Sequence, residues 1–135
     1  MGLAERRAVQ EFETNNYPAL KKLIDEAAGF PVTVEVKWDT LMKEERYVKG
    51  WKTGWPKIYF EPVVEAFKQI CSDDMGRDAL KAKLAKVVVQ HTKTSHSSNW
   101  AEWSNGTLTL DHGFTNIDQV KDRTTVLVKC LEKVL

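Results

Sequence analysis

The chain has 135 residues, of which 42% are hydrophobic and 29% are charged, and its formal net charge is +1 at pH 7. This length and composition are those of one soluble globular domain, 1–135, that can bury a core without the support of disulfides or metal. The small net charge excludes a global basic field for binding DNA, so any contact with nucleic acid would need a local basic patch.

The sequence predicts a cytoplasmic protein. Its first residues are charged from Glu5 onward and lack the apolar core of a secretory signal. No apolar run approaches the roughly 18 residues that cross a bilayer, so we expect no membrane partner. The two cysteines, Cys71 and Cys130, fall in predicted helices, which favours buried reduced thiols over a disulfide between helices.

The N-terminal part of the chain predicts two helices and a strand. Residues 2–13 have a weak helical pattern, and the next helix has Pro18 in its first turn and Gly29 as its C-terminal cap. The spacing of the apolar residues then changes from the 3.6 residues of a helix to the 2 residues of a strand. One face of this strand would carry Val32, Val34, Val36 and Trp38, and the other Thr33, Glu35 and Lys37. A strand with one buried face and one solvent-exposed face is typical of an antiparallel sheet.

The middle of the chain predicts a long connection at 39–56, a short strand at 57–60 and two helices. Pro62 suits the first turn of the first helix, and Ser72 or Asp73 would cap the second one. A buried strand at 86–92 is expected to follow, because its central residues are three consecutive valines.

The C-terminal part predicts a β-hairpin and a final helix. Asn105-Gly106 is the preferred pair for a two-residue type I′ turn. The register that follows from this turn sets Trp103 opposite Leu108, Ala101 opposite Leu110, and Glu102 opposite Thr109. Thr115 followed by Asp118 resembles a capping box, which would start the final helix at Thr115.

These elements together predict an α+β protein. The expected architecture is a two-layer sandwich, in which a mostly antiparallel sheet of about four strands has helices packed on one face. The other face of the sheet would be exposed and would carry Thr33, Glu35, Lys37, Glu102 and Thr109. This face, or an edge strand, is a candidate contact for a homodimer.

Polar residues near the predicted strand ends raise two catalytic alternatives. His91, His96 and His112 with Asp111 would supply enough ligands for zinc if they converged, although they lack the HExxH or CxxC spacing of known sites. Ser95, Ser97 or Ser98 beside His96, with Asp111, has the composition of a catalytic triad but no GxSxG elbow. Separate polar residues without a shared site remain the favoured interpretation, and no cofactor is predicted.

The stretch Tyr47–Phe60, YVKGWKTGWPKIYF, is the strongest candidate for a binding surface. Its N-terminal part overlaps the segment Arg46–Lys57, which has four bases and no acid. Aromatic rings that alternate with basic side chains are typical of a surface that binds a partner or single-stranded nucleic acid. The candidate binding residues are Tyr47, Lys49, Trp51, Lys52, Trp55 and Lys57.

The alternative for this stretch is that its rings pack into the core while the lysines extend into water. Burying one tryptophan removes up to about 150–250 Å² from water, which at about 25 cal/mol/Å² is worth several kcal/mol. A small domain would forgo much of its stability by exposing two such rings. Packing is therefore modestly favoured.

Three functions remain open from the sequence. The favoured one is a protein-interaction module of an inhibitor, immunity or adaptor type, because no catalytic signature is present. The first alternative is a small metal-dependent or hydrolytic enzyme that uses His91, His96, Asp111 and His112. The second is binding of single-stranded nucleic acid or another polyanion through Arg46–Lys57.

Overall fold

The computed structural model describes residues 2–93 and 96–135. The helices within these residues are α1 (Leu3–Asn15), α2 (Tyr17–Ala28), α3 (Trp38–Leu41), α4 (Trp51–Trp55), α5 (Glu61–Ile70), α6 (Asp74–Lys83) and α7 (Val120–Val134). The strands are β1 (Val34–Val36), β2 (Lys86–Gln90), β3 (Ala101–Ser104) and β4 (Thr107–Asp111). Helices and a sheet are therefore combined as predicted, and the protein is α+β.

The described strands form one four-stranded sheet in the order β1-β2-β4-β3. The β1–β2 and β2–β4 pairs are parallel, and the β3–β4 pair is antiparallel. The sheet is therefore mixed, and the prediction of a mostly antiparallel sheet is wrong.

The sheet is mixed because β4, and not β3, is the strand of the hairpin that pairs with β2. In β4, Leu108 and Leu110 are fully buried, which suits a central strand, whereas Glu102 and Ser104 in β3 are exposed, which suits an edge. With β3 at the edge, β4 runs back along β2 in the same direction. The helices between β1 and β2 form a crossover, and such connections join parallel strands.

The hairpin itself matches its prediction in turn and in register. Asn105 and Gly106 have φ values of 49° and 82°, the positive values that a type I′ turn requires at both central positions. The three predicted cross-strand pairs are present: Ala101 with Leu110, Glu102 with Thr109, and Trp103 with Leu108. A short local signal was sufficient to determine this part of the sheet.

Most of the predicted helix ends are also confirmed. Pro18 lies in the first turn of α2, and Gly29 ends that helix with φ of 84° and its N–H bonded to Asp25. Asp73 caps α6 by accepting a hydrogen bond of 2.8 Å from the Gly76 N–H. The start of α7 is a correction: the helix begins at Val120, and the carboxylate of Asp118 pairs with Lys57 instead of completing a capping box.

The segment predicted as a long connection followed by a short strand is helical. A 3₁₀ turn, Glu45–Gly50, leads into α4, and residues Pro56–Phe60 continue as a π-helical turn into α5. In this turn the Glu61 N–H donates to the Pro56 carbonyl, five residues back. The wider turn buries Ile58, Tyr59 and Phe60 in succession, and such a run of apolar residues resembles a buried strand in the sequence.

The core lies between the helices and the inner face of the sheet. That face contributes Val87, Val89, Leu108 and Leu110, which are all buried. Both cysteines are free, Cys71 buried and Cys130 half-buried, and burial raises the pKa of each thiol. Within residues 2–93 and 96–135, no helix combines the length and apolar character needed to cross a membrane.

Candidate binding pocket

The two tryptophans of the candidate stretch lie in the core. Trp51 and Trp55 are each 1% exposed, and their rings stack with centroids 4.8 Å apart. Trp55 also contacts Phe12 of α1 and Trp38 of α3, with centroid distances of 5.3 and 5.6 Å. Glycine at position 54, between the two tryptophans, lets the Phe114 ring approach α4 closely, because a Cβ there would lie 2.4 Å from that ring. The large faces of both indoles are therefore engaged within the protein.

Two further residues of the stretch are occupied by contacts within the chain. The half-buried ring of Tyr47 stacks on Phe114 with centroids 5.0 Å apart, and the Arg46 guanidinium lies 4.8 Å from the Tyr47 ring centre. Lys57 Nζ lies 3.0 Å from a carboxylate oxygen of Asp118. These side chains tie the segment to the loop that precedes α7.

Lys49 and Lys52, in contrast, stand exposed at a cavity between this segment and α1. The cavity has a volume of about 270 Å³. Across the described ranges neither lysine forms an ion pair. The lining side chains come from α1, from the junction of α1 with α2, and from the segment 48–52: Ala8, Glu11, Phe12, Asn16, Val48, Lys49, Trp51 and Lys52.

Two residues that line this cavity have buried polar atoms without a hydrogen-bond partner. They are the indole Nε1 of Trp51, a donor, and the amide Oδ1 of Asn16, an acceptor. An unpartnered buried polar group costs about 1–3 kcal/mol of stability, so native proteins leave few of them. Both atoms are closed off from solvent, so they lie behind the surface of the cavity and are a local cost in stability.

The sequence prediction covered only one side of this pocket. Lys49, Trp51 and Lys52 were among the predicted binding residues, and the structure brings all three to one cavity. Glu11 and Asn16 were missed, because each lies in or beside an unremarkable helix and no motif relates them to residues more than thirty positions away. In the sequence, Asn16 precedes Tyr17-Pro18 as an ordinary N-cap would, and only the structure shows that its side chain makes no cap bond.

Three of the predicted catalytic residues, His91, Asp111 and His112, lie at the carboxyl ends of the parallel strands β2 and β4. Asp111 is buried and accepts hydrogen bonds from the Thr92 N–H at 3.1 Å, the Thr92 hydroxyl at 2.6 Å and the Gln90 amide at 3.1 Å. Burial alone would raise the pKa of Asp111, but these donors stabilise the carboxylate and hold its pKa below the usual range. The carboxylate thus closes the turn after β2.

Among the described residues, the three histidines and Asp111 are not grouped as metal ligands. His112 is fully buried, its Nδ1 lies 2.7 Å from the Gly113 carbonyl, and the His91 ring packs on Gly113. His96 is exposed before the short 3₁₀ turn Ser97–Asn99. Over the part of the chain that the structure describes, no three His, Cys, Asp or Glu side chains are grouped to hold a metal ion. Ser95, a candidate nucleophile, lies outside the described residues.

A buried arginine beside His112 was missed by the sequence analysis. The guanidinium of Arg123 donates to the carbonyls of Asn116, Lys57 and Ile117 at 2.8, 3.1 and 2.7 Å. Burial disfavours its charged form and lowers its pKa. These bonds join α7 to the π-helical turn and to the loop before α7, so the role of Arg123 is to hold these elements together.

Comparison with known proteins gives no relative from which a function could be transferred. No protein-family model matches the chain, and no curated protein or solved structure is significantly similar to it. A function for this chain therefore has to be inferred from its own residues.

Proposed function

We propose that the protein is an interaction module, of an inhibitor, immunity or adaptor type, that docks an acidic segment of another protein over Lys49 and Lys52. The observation that supports this most is that both exposed lysines line one cavity and form no ion pair within the described residues. An acidic group of a partner would supply the opposite charge that these lysines lack within the chain.

The charge of the pocket favours an acidic group. Among the lining residues, two lysines and one glutamate give a net charge of +1 (two positive charges less one negative). Both lysines are exposed, so they are available to meet a carboxylate as a partner approaches. The apolar side chains of Ala8, Phe12 and Val48 add a surface that excludes water from the contact.

The two other functions have less support. Stacking of single-stranded nucleic acid needs exposed rings, and Trp51 and Trp55 are each only 1% exposed. Catalysis through Asp111 and the histidines needs a group that is free to accept a proton or bind metal, and the Asp111 carboxylate is engaged by its neighbours. The cytoplasmic location and the homodimer stay predictions.

Selection from a peptide library tests the proposal. A displayed library of random twelve-residue peptides is selected against the purified protein, and we expect the enriched sequences to be acidic. Lys49→Glu/Lys52→Glu reverses the charge beside the cavity and should abolish binding of the enriched peptides. The matched control is Lys81→Glu, which reverses an exposed lysine in the last turn of α6. Equal binding by the double variant and the control would refute the proposal.

A further inference from the structure

We infer that the free edge of β3 is a second interaction surface, which binds an extended segment of another protein as an additional strand of the sheet. Every second side chain of this segment enters a groove between β3 and α7, and these side chains are apolar or acidic. The surface is separate from the cavity at Lys49 and Lys52, so this inference goes beyond the function proposed for that cavity.

The backbone of β3 has unused hydrogen-bonding groups at the edge of the sheet. β3 is the last strand in the order β1-β2-β4-β3, so it pairs on one side only. The Asp111 N–H donates to the Trp100 carbonyl at 2.9 Å, and in an antiparallel ladder such bonds recur at every second residue. Ala101 and Trp103 therefore direct their N–H and C=O groups away from β4, and within the residues described neither has a backbone partner on that side. A strand laid along this edge would form these bonds.

A groove beside this edge can hold the side chains of an added strand. It lies between β3 and α7 and has a volume of about 590 Å³. From α7 it is lined by Val126, Cys130 and Val134, spaced four residues apart on one helix face, and from β3 by Ala101 and the half-buried Trp103. Residues directly opposite each other in neighbouring strands have their side chains on the same face of the sheet. The side chains of the segment opposite Ala101 and Trp103 would therefore enter the groove.

The charge of the groove favours an acidic segment. Lys129 and Lys133 are exposed there, one turn apart on α7, and across the described ranges neither forms an ion pair. Glu102, which also lines the groove, is already paired with Lys93 at 2.8 Å. The two lysines therefore lack an opposite charge, and an acidic side chain beside an apolar one in the segment would supply it.

A second copy of this chain fits the edge less well. Antiparallel pairing of two β3 strands through both outward-facing residues sets Ala101 of one copy opposite Trp103 of the other. Glu102 of one copy then lies opposite Glu102 of the other, in the kind of pair where side chains are closest, and like charges at such positions are destabilising. The segment therefore belongs to a different protein.

Methylation of backbone nitrogens in a bound peptide tests the strand pairing. A displayed library of random twelve-residue peptides is selected against full-length Lys49→Glu/Lys52→Glu, in which the charge of the other surface is reversed. The most enriched peptide is then synthesised with an N-methyl group at each residue in turn. Because each methyl group removes one donor, the affinity measured by calorimetry should fall by about tenfold or more at two positions that are two residues apart, and little at the position between them. Losses of similar size at consecutive positions, or the absence of any enriched peptide, would overturn the inference.

Variants of α7 test whether the peptide lies in the groove. Lys129→Glu/Lys133→Glu reverses the charge of the groove without changing β3 and should weaken the peptide by about tenfold or more. The matched control, Lys81→Glu/Lys121→Glu, reverses two exposed lysines outside the groove and should bind normally. Equal binding by the two double variants would contradict a site between β3 and α7.

Sedimentation of the unsubstituted protein tests the remaining occupant. We expect a monomer, because symmetric pairing of β3 brings two Glu102 side chains together. A dimer that Lys129→Glu/Lys133→Glu dissociates would mean that a second copy occupies the edge, and the inference of a different protein would be overturned.

Discussion

At the scale of single residues, the unpartnered atoms of Trp51 and Asn16 are a cost to the stability of the fold. A side chain kept for folding normally has its polar atoms satisfied, and substitution then destabilises the protein. Here the opposite is expected, because the buried Oδ1 of Asn16 has lost its water and gained no partner. Groups of this kind are a common source of the trade-off between stability and function.

We therefore predict that Asn16→Ala leaves the free energy of unfolding unchanged or raises it by up to about 1–3 kcal/mol. No capping hydrogen bond is lost, because the Asn16 side chain does not cap α2. Urea denaturation of the two proteins measures the difference. Asn15→Ala, which removes an exposed amide one residue earlier, is the control. A loss of more than about 1 kcal/mol at Asn16 alone would mean that Oδ1 contributes to folding, which would contradict its lack of a hydrogen-bond partner.

At the scale of elements, α4 is held against the loop before α7 by a close approach at glycine. A Cβ at position 54 would lie 2.4 Å from Cε2 and 2.5 Å from Cζ of Phe114, whereas a Cβ at Gly50 would lie 3.3 Å from the same ring. The contact matters for the pocket because Trp51 lies in the same short helix.

Gly54→Ala should accordingly lower the free energy of unfolding by about 1–3 kcal/mol through overpacking. The effect opposes the gain of about 1 kcal/mol that alanine normally brings in a helix, so a loss would be evidence for the clash. Thermal and urea unfolding give the magnitude, and Gly50→Ala should be affected less. In a Phe114→Ala background, Gly54→Ala should cost less than it does in the unsubstituted protein, because the ring that it clashes with is absent. A stabilised Gly54→Ala protein would contradict the packing described here.

The elements that could be predicted from the sequence are those fixed by local chemistry. Asn105-Gly106 determined a turn and a register, and Gly29 determined the end of α2, because a positive φ favours few residue types. The helical turn at 56–60 and the parallel strands depend on distant contacts, which local periodicity does not contain. The same limit applies to the pocket, where Lys49, Trp51 and Lys52 were candidates but Asn16 required knowledge of how α1 packs.

At the scale of the whole molecule, a group of buried polar residues joins the carboxyl ends of the parallel strands to α7. His112 is fully buried there and Arg123 lies close enough to influence it. Burial is the main reason that the pKa of His112 lies below its usual value of 6.5. The positive charges of Arg123 and His91 act in the same direction, and the Gly113 carbonyl and Asp111 act against it.

Stability should therefore fall as the pH is lowered from about 6.5. The unfolded chain takes up a proton on His112 near its usual pKa, while the folded protein resists protonation until a lower pH. In that window the unfolded state binds more protons than the folded state. The free energy of unfolding therefore decreases as the pH is lowered, by at most about 1.4 kcal/mol per pH unit for one group. Asp111 does not interfere above pH 5, because its pKa lies below 3.8 and its contribution is lost only at lower pH.

Urea unfolding at pH 7.5, 6.5, 5.5 and 5.0 measures this dependence. His112→Asn keeps a side-chain donor for the Gly113 carbonyl but cannot be protonated in this range, so its free energy of unfolding should vary less with pH than that of the unsubstituted protein. His96→Asn changes an exposed histidine and should retain the full slope. If the unsubstituted protein is equally stable at pH 7.5 and 5.0, His112 is accommodated as a cation. The carboxyl edge of the sheet would then have to open towards solvent, because a buried site that already holds Arg123 could not otherwise tolerate a second positive charge.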